Sequence, residues 1–486
     1  MEVSREHSRA FKNSIYSIIL NLITVLGSFF IGSIIARFLG PNIYGSYASA
    51  VGLWVLFSLV SSGPQSSVSY FIAKFDVKKY KNWIVRRMIL FVILLSFLSS
   101  LIFLLISPFI SKIYFIDRIT IYSLLLGIPI FSVQSVLKGV LVGAGKLKEN
   151  MYSGLIFELL RVIQIIFIIL IAEKLFASIL GYVVAYLLSL LPLLFWSKEY
   201  LKGESEKPTN TSEIIKVTVN SYYSSIIGFI PSTALVSILL GSLYIQYAGF
   251  YRASTIISNL LGALGGGIST GAFSTLVYLY NRNEISKISS IQFLLSKYLA
   301  FVIIPIFMIV LFFTKQIIII LFKAQFLPIT NIVLLLSTAV LISQLLSVYN
   351  VTGVVGRYDL SAQASFIGII AFFSTLPFIK VFGATGGAIS VSSYTLISLL
   401  VLLYYSNKYV KLKIPVKQIF ISTLLSFVMI GFLYGLYYLG FSGFRFIIAV
   451  FISLGFYFLL AVLTKQFSVG ELKKLISRGI NVEYSN

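Results

Sequence analysis

Three charged side chains stand inside stretches that are otherwise hydrocarbon: Glu158 and Arg161 in the run 151–172, and Arg252 in the run 244–264. A charge in the middle of an apolar layer costs about 2.5–3.5 kcal/mol unless it is paired or hydrated, so each needs a reason. Glu158 and Arg161 are three residues apart and can neutralise each other on one helix. Glu158 is also the one acidic residue well inside a run, so coupling of H+ or Na+ through a carboxylate would pass through it. Arg252 has no acidic neighbour of this kind in its half of the chain, which leaves Glu158, water or an anionic substrate as its counter-charge. A guanidinium offers phosphate a planar fork of donors. The surrounding "YIQYAGFYRAS" adds Tyr244, Gln246, Tyr247 and Tyr251. Such side chains suit sugar faces and hydroxyls, and interfacial tyrosine belts share the composition. Arg37 closes the first apolar run, either as a snorkelling interfacial arginine or as part of a pathway.

Two polar stripes accompany these charges. Ser14, Ser17, Asn21, Thr24 and Ser28 recur at spacings of three and four on one helical face, and Ser221, Ser225, Gly228 and Ser232 do the same beside Pro231. They serve either close helix packing or a wet cavity that they face from two sides. The stretch "ARFLGPNIYGSY" (36–47) ends one helix at Gly40-Pro41 and starts another, with Gly45 allowing backbones to approach closely. It reads as a hairpin turn outside the membrane, with Gly40, Pro41, Gly45 and Pro231 as turn or hinge positions.

The elements that position these residues follow from composition. Of 486 residues, 58% are hydrophobic and 11% charged, more apolar surface than soluble cores of this length could hide. In lipid every backbone group has to be satisfied internally, so the apolar runs are helices and the chain is an all-α polytopic membrane protein. Runs near 13–38, 44–72, 84–106, 119–141, 151–172, 175–197, 213–236, 244–264, 291–313, 329–350, 361–379, 384–405, 416–438 and 442–463 give about fourteen transmembrane helices. The net charge of +23 is distributed with a bias: of 38 Lys and Arg, with those nearer the ends of runs counted on the adjoining side, 28 fall with the two tails and the even-to-odd connections, 8 on the other face and 2 deep inside runs. That pattern places both termini in the cytoplasm of a multi-pass cell-membrane protein, and anionic lipid headgroups explain the charge without nucleic acid.

A polar linker, residues 198–213, divides the chain into an N-terminal six-helix lobe (1–200) and a C-terminal six-helix lobe (201–412), followed by helices 13 and 14 with a tail (413–486). The lobes echo each other. Gly145 and Gly356 precede Lys or Arg in equivalent loops, and Gly40 has Gly241 as its counterpart turn glycine. Weak repetition of this kind marks transporters built as two pseudo-symmetric bundles. Prolines 129, 192, 231 and 305 and "GALGGG" (262–267) would let such bundles bend. There are no cysteines and no GxxxxGK[ST], HExxH or Asp-rich metal motif, so no enzyme, catalytic residue, metal or cofactor is expected beyond a coupling ion.

The run "IIARFLGPNIYGSYASAVGLWVLFSLVSSGPQSSVSYFIAKF" (34–75) resembles the opening of polysaccharide and O-antigen flippases of the multidrug/oligosaccharidyl-lipid/polysaccharide exporter superfamily. "GAGKLKENMYSGLIFELLRVI" (143–163) and "FGATGGAIS" (382–390) are similar to two further loops of that family. The resemblance implies two six-helix lobes around a cationic central cavity, and alternating access that moves a polyisoprenoid-linked oligosaccharide from the cytoplasmic to the outer leaflet. Arg252, Arg37 and Arg161 would then meet phosphate. Asn21, Thr24, Ser225, Gln246, Tyr247 and Tyr251 would line the sugar cavity, and Glu158 would couple. The sister branch that flips the lipid-linked peptidoglycan precursor implies a lipid groove at helices 13 and 14. Expected partners are the lipid-linked oligosaccharide and membrane lipids, with the chain a monomer beside glycan-assembly proteins. The rival is a cation-coupled multidrug exporter of the same superfamily, a branch that relies on acidic residues in its spans.

Overall fold

The computed structural model describes residues 2–209, 211–352 and 354–464, and the side chains of 16, 19–209, 211–262, 276, 279–280, 282–352, 354–357 and 359–464. The described residues form helices and turns, in the order α1 (Glu2–Ser58), α2 (Ser62–Lys74), α3 (Lys78–Tyr114), α4 (Arg118–Gly143), α5 (Leu147–Leu160), α6 (Val162–Leu170), α7 (Lys174–Leu201), α8 (Thr211–Phe229), α9 (Thr233–Leu243), α10 (Ile245–Asn281), α11 (Ile285–Phe322), α12 (Thr330–Ser347), α13 (Tyr358–Thr375), α14 (Phe378–Phe382), α15 (Ala384–Asn407), α16 (Val416–Tyr438) and α17 (Arg445–Leu463). Ser14, Ser17 and most of "GALGGG" lie outside the described side chains.

Among the described residues ten helices are long and apolar enough to cross a membrane, or eleven when the bent α8–α9 pair counts as one span. That is fewer than the fourteen expected, and three features account for the difference. Ile19–Lys74 is one stretch of 56 residues, about 84 Å at 1.5 Å per residue against a hydrocarbon layer of about 30 Å. Gly40 breaks it, with φ 70° and ψ 169°. The apolar stretch of α13 is shorter than the rest, and most of the α10 side chains fall outside those described. Local chemistry sets the other boundaries. Asp117 caps α4 by accepting from the Thr120 amide at 2.9 Å. Pro231 stands at a 50° bend between α8 and α9. By contrast, Pro129 and Pro192 lie inside continuous helices, and the kink of α11 falls at Phe313, where φ is −117° and ψ 24°, rather than at Pro305. One face of α3 is a row of exposed apolar residues, Leu94, Leu98, Leu105 and Phe109 among them, as lipid-facing helices require.

The chain forms two compact units. One comprises residues 1–18, 257–374 and 392–486, and its core joins α11, α16 and α17. There Phe313 packs on Tyr434 and Phe446, and the Tyr457 hydroxyl donates to the Phe301 carbonyl at 3.0 Å. The other comprises residues 19–256 and 375–391, with the linker 198–213 inside it. Glu158, Arg161 and Arg252 all belong to this second unit.

Gly145 and Gly356 both adopt positive φ, 68° and 75°, in the turns that precede α5 and α13. The other pair does not. Gly241 is helical and buried in α9, and a Cβ there would collide with Ser49, so its missing side chain serves helix packing rather than a turn.

Candidate functional site

α5 gives way to α6 at Arg161, and a polar network gathers there. Arg161 donates from Nη1 to Glu158 Oε2 at 2.8 Å and to Ser28 Oγ at 3.3 Å, and from Nε to Gln164 Oε1 at 3.3 Å. Its guanidinium carbon lies 5.5 Å from the Tyr182 ring centroid. The Gln164 amide donates to the Tyr47 hydroxyl at 3.2 Å and the Ser178 carbonyl at 3.0 Å. Glu158 and Arg161 are 6% and 7% exposed, so the pair is buried as well as bonded. Room for the carboxylate comes from Gly27, because a Cβ there would collide with it. Thus Gly27 and Ser28 of α1 receive the two ends of one ion pair.

A second cation approaches Glu158 from α4. Lys138 Nζ sits 5.7 Å from the Phe157 ring centroid and within electrostatic reach of the carboxylate. Trp54 closes this side, with Tyr182 and Tyr186 edge-on at 5.0 and 5.1 Å, and Phe157 lies 4.3 Å from Tyr186. Lys138 lies near the end of the run 119–141, and α4, which continues to Gly143, holds it inside the helix.

The third cation, Arg252 of α10, lies within hydrogen-bonding reach of the Tyr44 hydroxyl. Tyr44 in turn stacks on Tyr47, with ring centroids 5.7 Å apart and planes 17° from parallel. Both tyrosines belong to the hairpin-turn motif, one turn apart on the same helix face. Glu158 is therefore engaged by Arg161, while Arg252 is met by a phenol.

The same helix explains Gly45. A Cβ at Gly45 would run into the Ile245 carbonyl, and one at Gly249 into the Pro41 carbonyl. Further along, Ser49 Oγ donates to the Ser237 carbonyl at 3.3 Å, and a Cβ at Gly52 would reach within 2.8 Å of the Ala234 carbonyl. Small residues at Gly45, Ser49 and Gly52 thus seat this helix on α9 and the start of α10, which brings Arg252 beside Tyr44.

The remaining sequence candidates sit elsewhere. Asn21 and Thr24 are exposed, and Thr24 bonds back to the Leu20 carbonyl at 2.9 Å, as Ser225 does to Ser221 at 2.8 Å. Gln246 is exposed, Tyr247 packs its ring against Gly383, and Tyr251 is fully buried beside Thr233. Arg37 is partly buried and engaged. An open cavity of about 740 Å³ lies at the hairpin-turn end of the unit, lined by Asn42, Ser46, Asp117, Glu173 and Lys174. It does not include the charge cluster.

Comparison with known proteins agrees with this architecture. The family described as "Polysaccharide biosynthesis protein" matches residues 10–273. The lipid II flippase MurJ in an inward closed conformation superposes with a TM-score of 0.69 at 14% identity, over 93% of this chain and 99% of that one. An inward-facing multidrug resistance transporter of the MATE family gives 0.56 at 14% identity, over 82% and 94%. A MOP superfamily transporter from Pyrococcus furiosus, whose binding pocket is described as reversed in polarity, gives 0.56 at 15% identity, over 82% and 96%. No curated protein sequence matches the chain.

Proposed function

The chain belongs to the polysaccharide biosynthesis protein family, and we propose that it flips a polyisoprenoid-linked oligosaccharide from the cytoplasmic to the outer leaflet by alternating access between two six-helix lobes. The observation that carries this reading is a charge imbalance: Lys138, Arg161 and Arg252 lie in one unit, set against the embedded carboxylate Glu158, which pairs with Arg161 and is within electrostatic reach of Lys138. Such an interior attracts a diphosphate linker and repels the cationic drugs that an exporter of the same superfamily would carry. Arg252 is the phosphate-binding group of this reading because its neighbour is a neutral phenol. Arg161 is held by Glu158, Ser28 and Gln164 and acts as a fixed background charge. Glu158, paired at 2.8 Å, serves as counter-ion to two cations, and this leaves an H+ or Na+ coupling role to be tested through its charge-neutral variant.

The deciding experiment is deletion of the gene in its host. Accumulation of a lipid-linked glycan on the cytoplasmic leaflet, with unchanged susceptibility to cationic drugs, is the expected result. Drug hypersensitivity without glycan accumulation overturns the flippase reading in favour of the exporter.

A further inference from the structure

The polar stretch between the two expected lobes is not a loose tether. The Asn82 side-chain amide donates to the carbonyls of Lys202 at 3.2 Å and Glu204 at 2.9 Å. Arg86, one turn further along α3, donates from Nη2 to the Gly203 carbonyl at 2.6 Å. Two side chains spaced i,i+4 therefore hold three successive linker carbonyls. Lys79 adds an ion pair to Glu204 at 2.6 Å, and its own carbonyl accepts from the Glu206 amide at 3.3 Å. Asn82 is only 2% exposed under this strap, and Pro208 is buried. Gly203 adopts φ 91°, a conformation that strains any residue with a Cβ.

Beyond the strap lies a helix seam. α8 begins three residues after Pro208 and runs antiparallel to α2. Glu213 pairs with Lys74, the Thr218 and Ser67 hydroxyls meet at 2.6 Å, and Tyr222 donates to the Val60 carbonyl while its ring covers Gly63. Ile214 is buried with Val68, Phe71, Ile84 and Val85. With the strap docked, only a few residues separate α8 from its anchor, whereas release would lengthen the tether and lower the effective concentration of α8 at α2. The Arg86–Gly203 and Lys79–Glu204 contacts are polar and exposed to solvent, so water can replace them reversibly.

We propose that the strap 202–208, docked on Asn82 and Arg86, is a latch that keeps α8 seated on α2, and that undocking it opens this seam. The latch rests on the contacts above; only its use in a transport cycle rests on the flippase reading.

The absence of native cysteine makes the test direct. With cysteines at Ser67 and Thr218 in the full chain in proteoliposomes, the docked protein should cross-link rapidly under mild oxidant. Asn82→Ala/Arg86→Ala should slow the cross-link about tenfold, and should raise maleimide labelling of a lone Thr218→Cys severalfold. Gly203→Val attacks the latch from the strap side, leaves α3 intact and should move both readouts the same way; it decides alone if the double variant does not accumulate. Unchanged cross-linking and labelling overturn the latch, as does a strap that becomes protease-sensitive while the seam stays closed. Because neither readout is transport, a protein that latches but does not flip glycan would refute the proposed function and leave the latch standing.

Discussion

Tyr44 and Tyr47 stack one helical turn apart, and each faces a different part of the charge network: Tyr44 meets Arg252, and Tyr47 accepts from Gln164, itself bonded to Arg161. Two arginines, one at the end of α5 and one on α10, are thereby joined through one rigid aromatic pair of the hairpin-turn helix. Removing the Tyr44 hydroxyl while keeping its ring isolates that link. A hydrogen bond to a charged group contributes about 1.5–3 kcal/mol, so Tyr44→Phe should accumulate normally and flip lipid-linked glycan about tenfold more slowly. Wild-type flipping by Tyr44→Phe would show that the phenol only fills space.

Glu158 and Arg161 provide a stability test in which the order of mutation matters. Breaking a buried ion pair leaves the surviving charge uncompensated, at about 3–5 kcal/mol. Glu158→Gln alone should lower the thermal midpoint and the amount of protein in the membrane, since Arg161 and Lys138 then face each other without a carboxylate. Neutralising Arg161 as well should recover part of the loss. If Glu158→Gln is instead normally stable and loses flipping, Glu158 carries the coupling ion and its counter-ion role is secondary.

The Gly45 crossing yields a steric prediction. A Cβ at Gly45 occupies the position of the Ile245 carbonyl, which is backbone and cannot rotate away. Gly45→Val should therefore force the hairpin-turn helix off α10, costing about 1–3 kcal/mol, and should raise maleimide labelling of a cysteine placed at Ser49. Gly228→Ala is the matched control, because a Cβ at Gly228 meets nothing within 4 Å. Equal labelling in the two variants would contradict the tight crossing.

These residues also show where sequence reasoning stops. Most helix positions were legible because hydrocarbon length and backbone satisfaction act locally, and 416–438 coincides with α16. The role of Gly45 was legible too, since a glycine inside a helix invites close approach. Which backbone it approaches was not, because Ile245 is 200 residues away and the contact exists only after packing. The Glu158–Arg161 pair is written in an i,i+3 spacing, whereas Lys138 comes within electrostatic reach of the same carboxylate from another helix. Gly241 misled for the complementary reason: it matches Gly40 in a sequence echo, but its environment is set by Ser49.

Membrane orientation can be checked on the cysteine-free background. Lys78 and Asn42 are both exposed, at the opposite ends of the stretch that runs from the hairpin turn through α2. The charge bias predicts that a cysteine at Lys78 labels with an impermeant reagent only from the cytoplasmic side, and a cysteine at Asn42 only from outside. Labelling of Lys78→Cys in intact cells would invert the topology, and with it the direction of transport.

Arg252 carries the proposed contact with phosphate. It comes from α10, is partly buried, and is placed beside Tyr44 by the small-residue crossing rather than by a carboxylate. A guanidinium kept in that setting for stability alone could be replaced by an uncharged side chain that avoids the desolvation cost. A diphosphate, in contrast, loses its own hydration as it enters an apolar layer and needs a fixed positive charge with paired donors. Arg252→Ala should thus insert and accumulate normally while flipping falls by at least an order of magnitude, as about 1.5–3 kcal/mol of charge-assisted hydrogen bonding is lost. Arg252→Lys keeps the charge without the fork and should retain part of the activity, and Arg252→Glu should retain none because it repels the phosphate. The measurement is the fraction of lipid-linked glycan reaching the outer leaflet in reconstituted vesicles, normalised to protein amount. An Arg252→Ala protein that flips at the wild-type rate, or one that fails to accumulate at all, would remove Arg252 from phosphate recognition and leave it a structural tie to Tyr44.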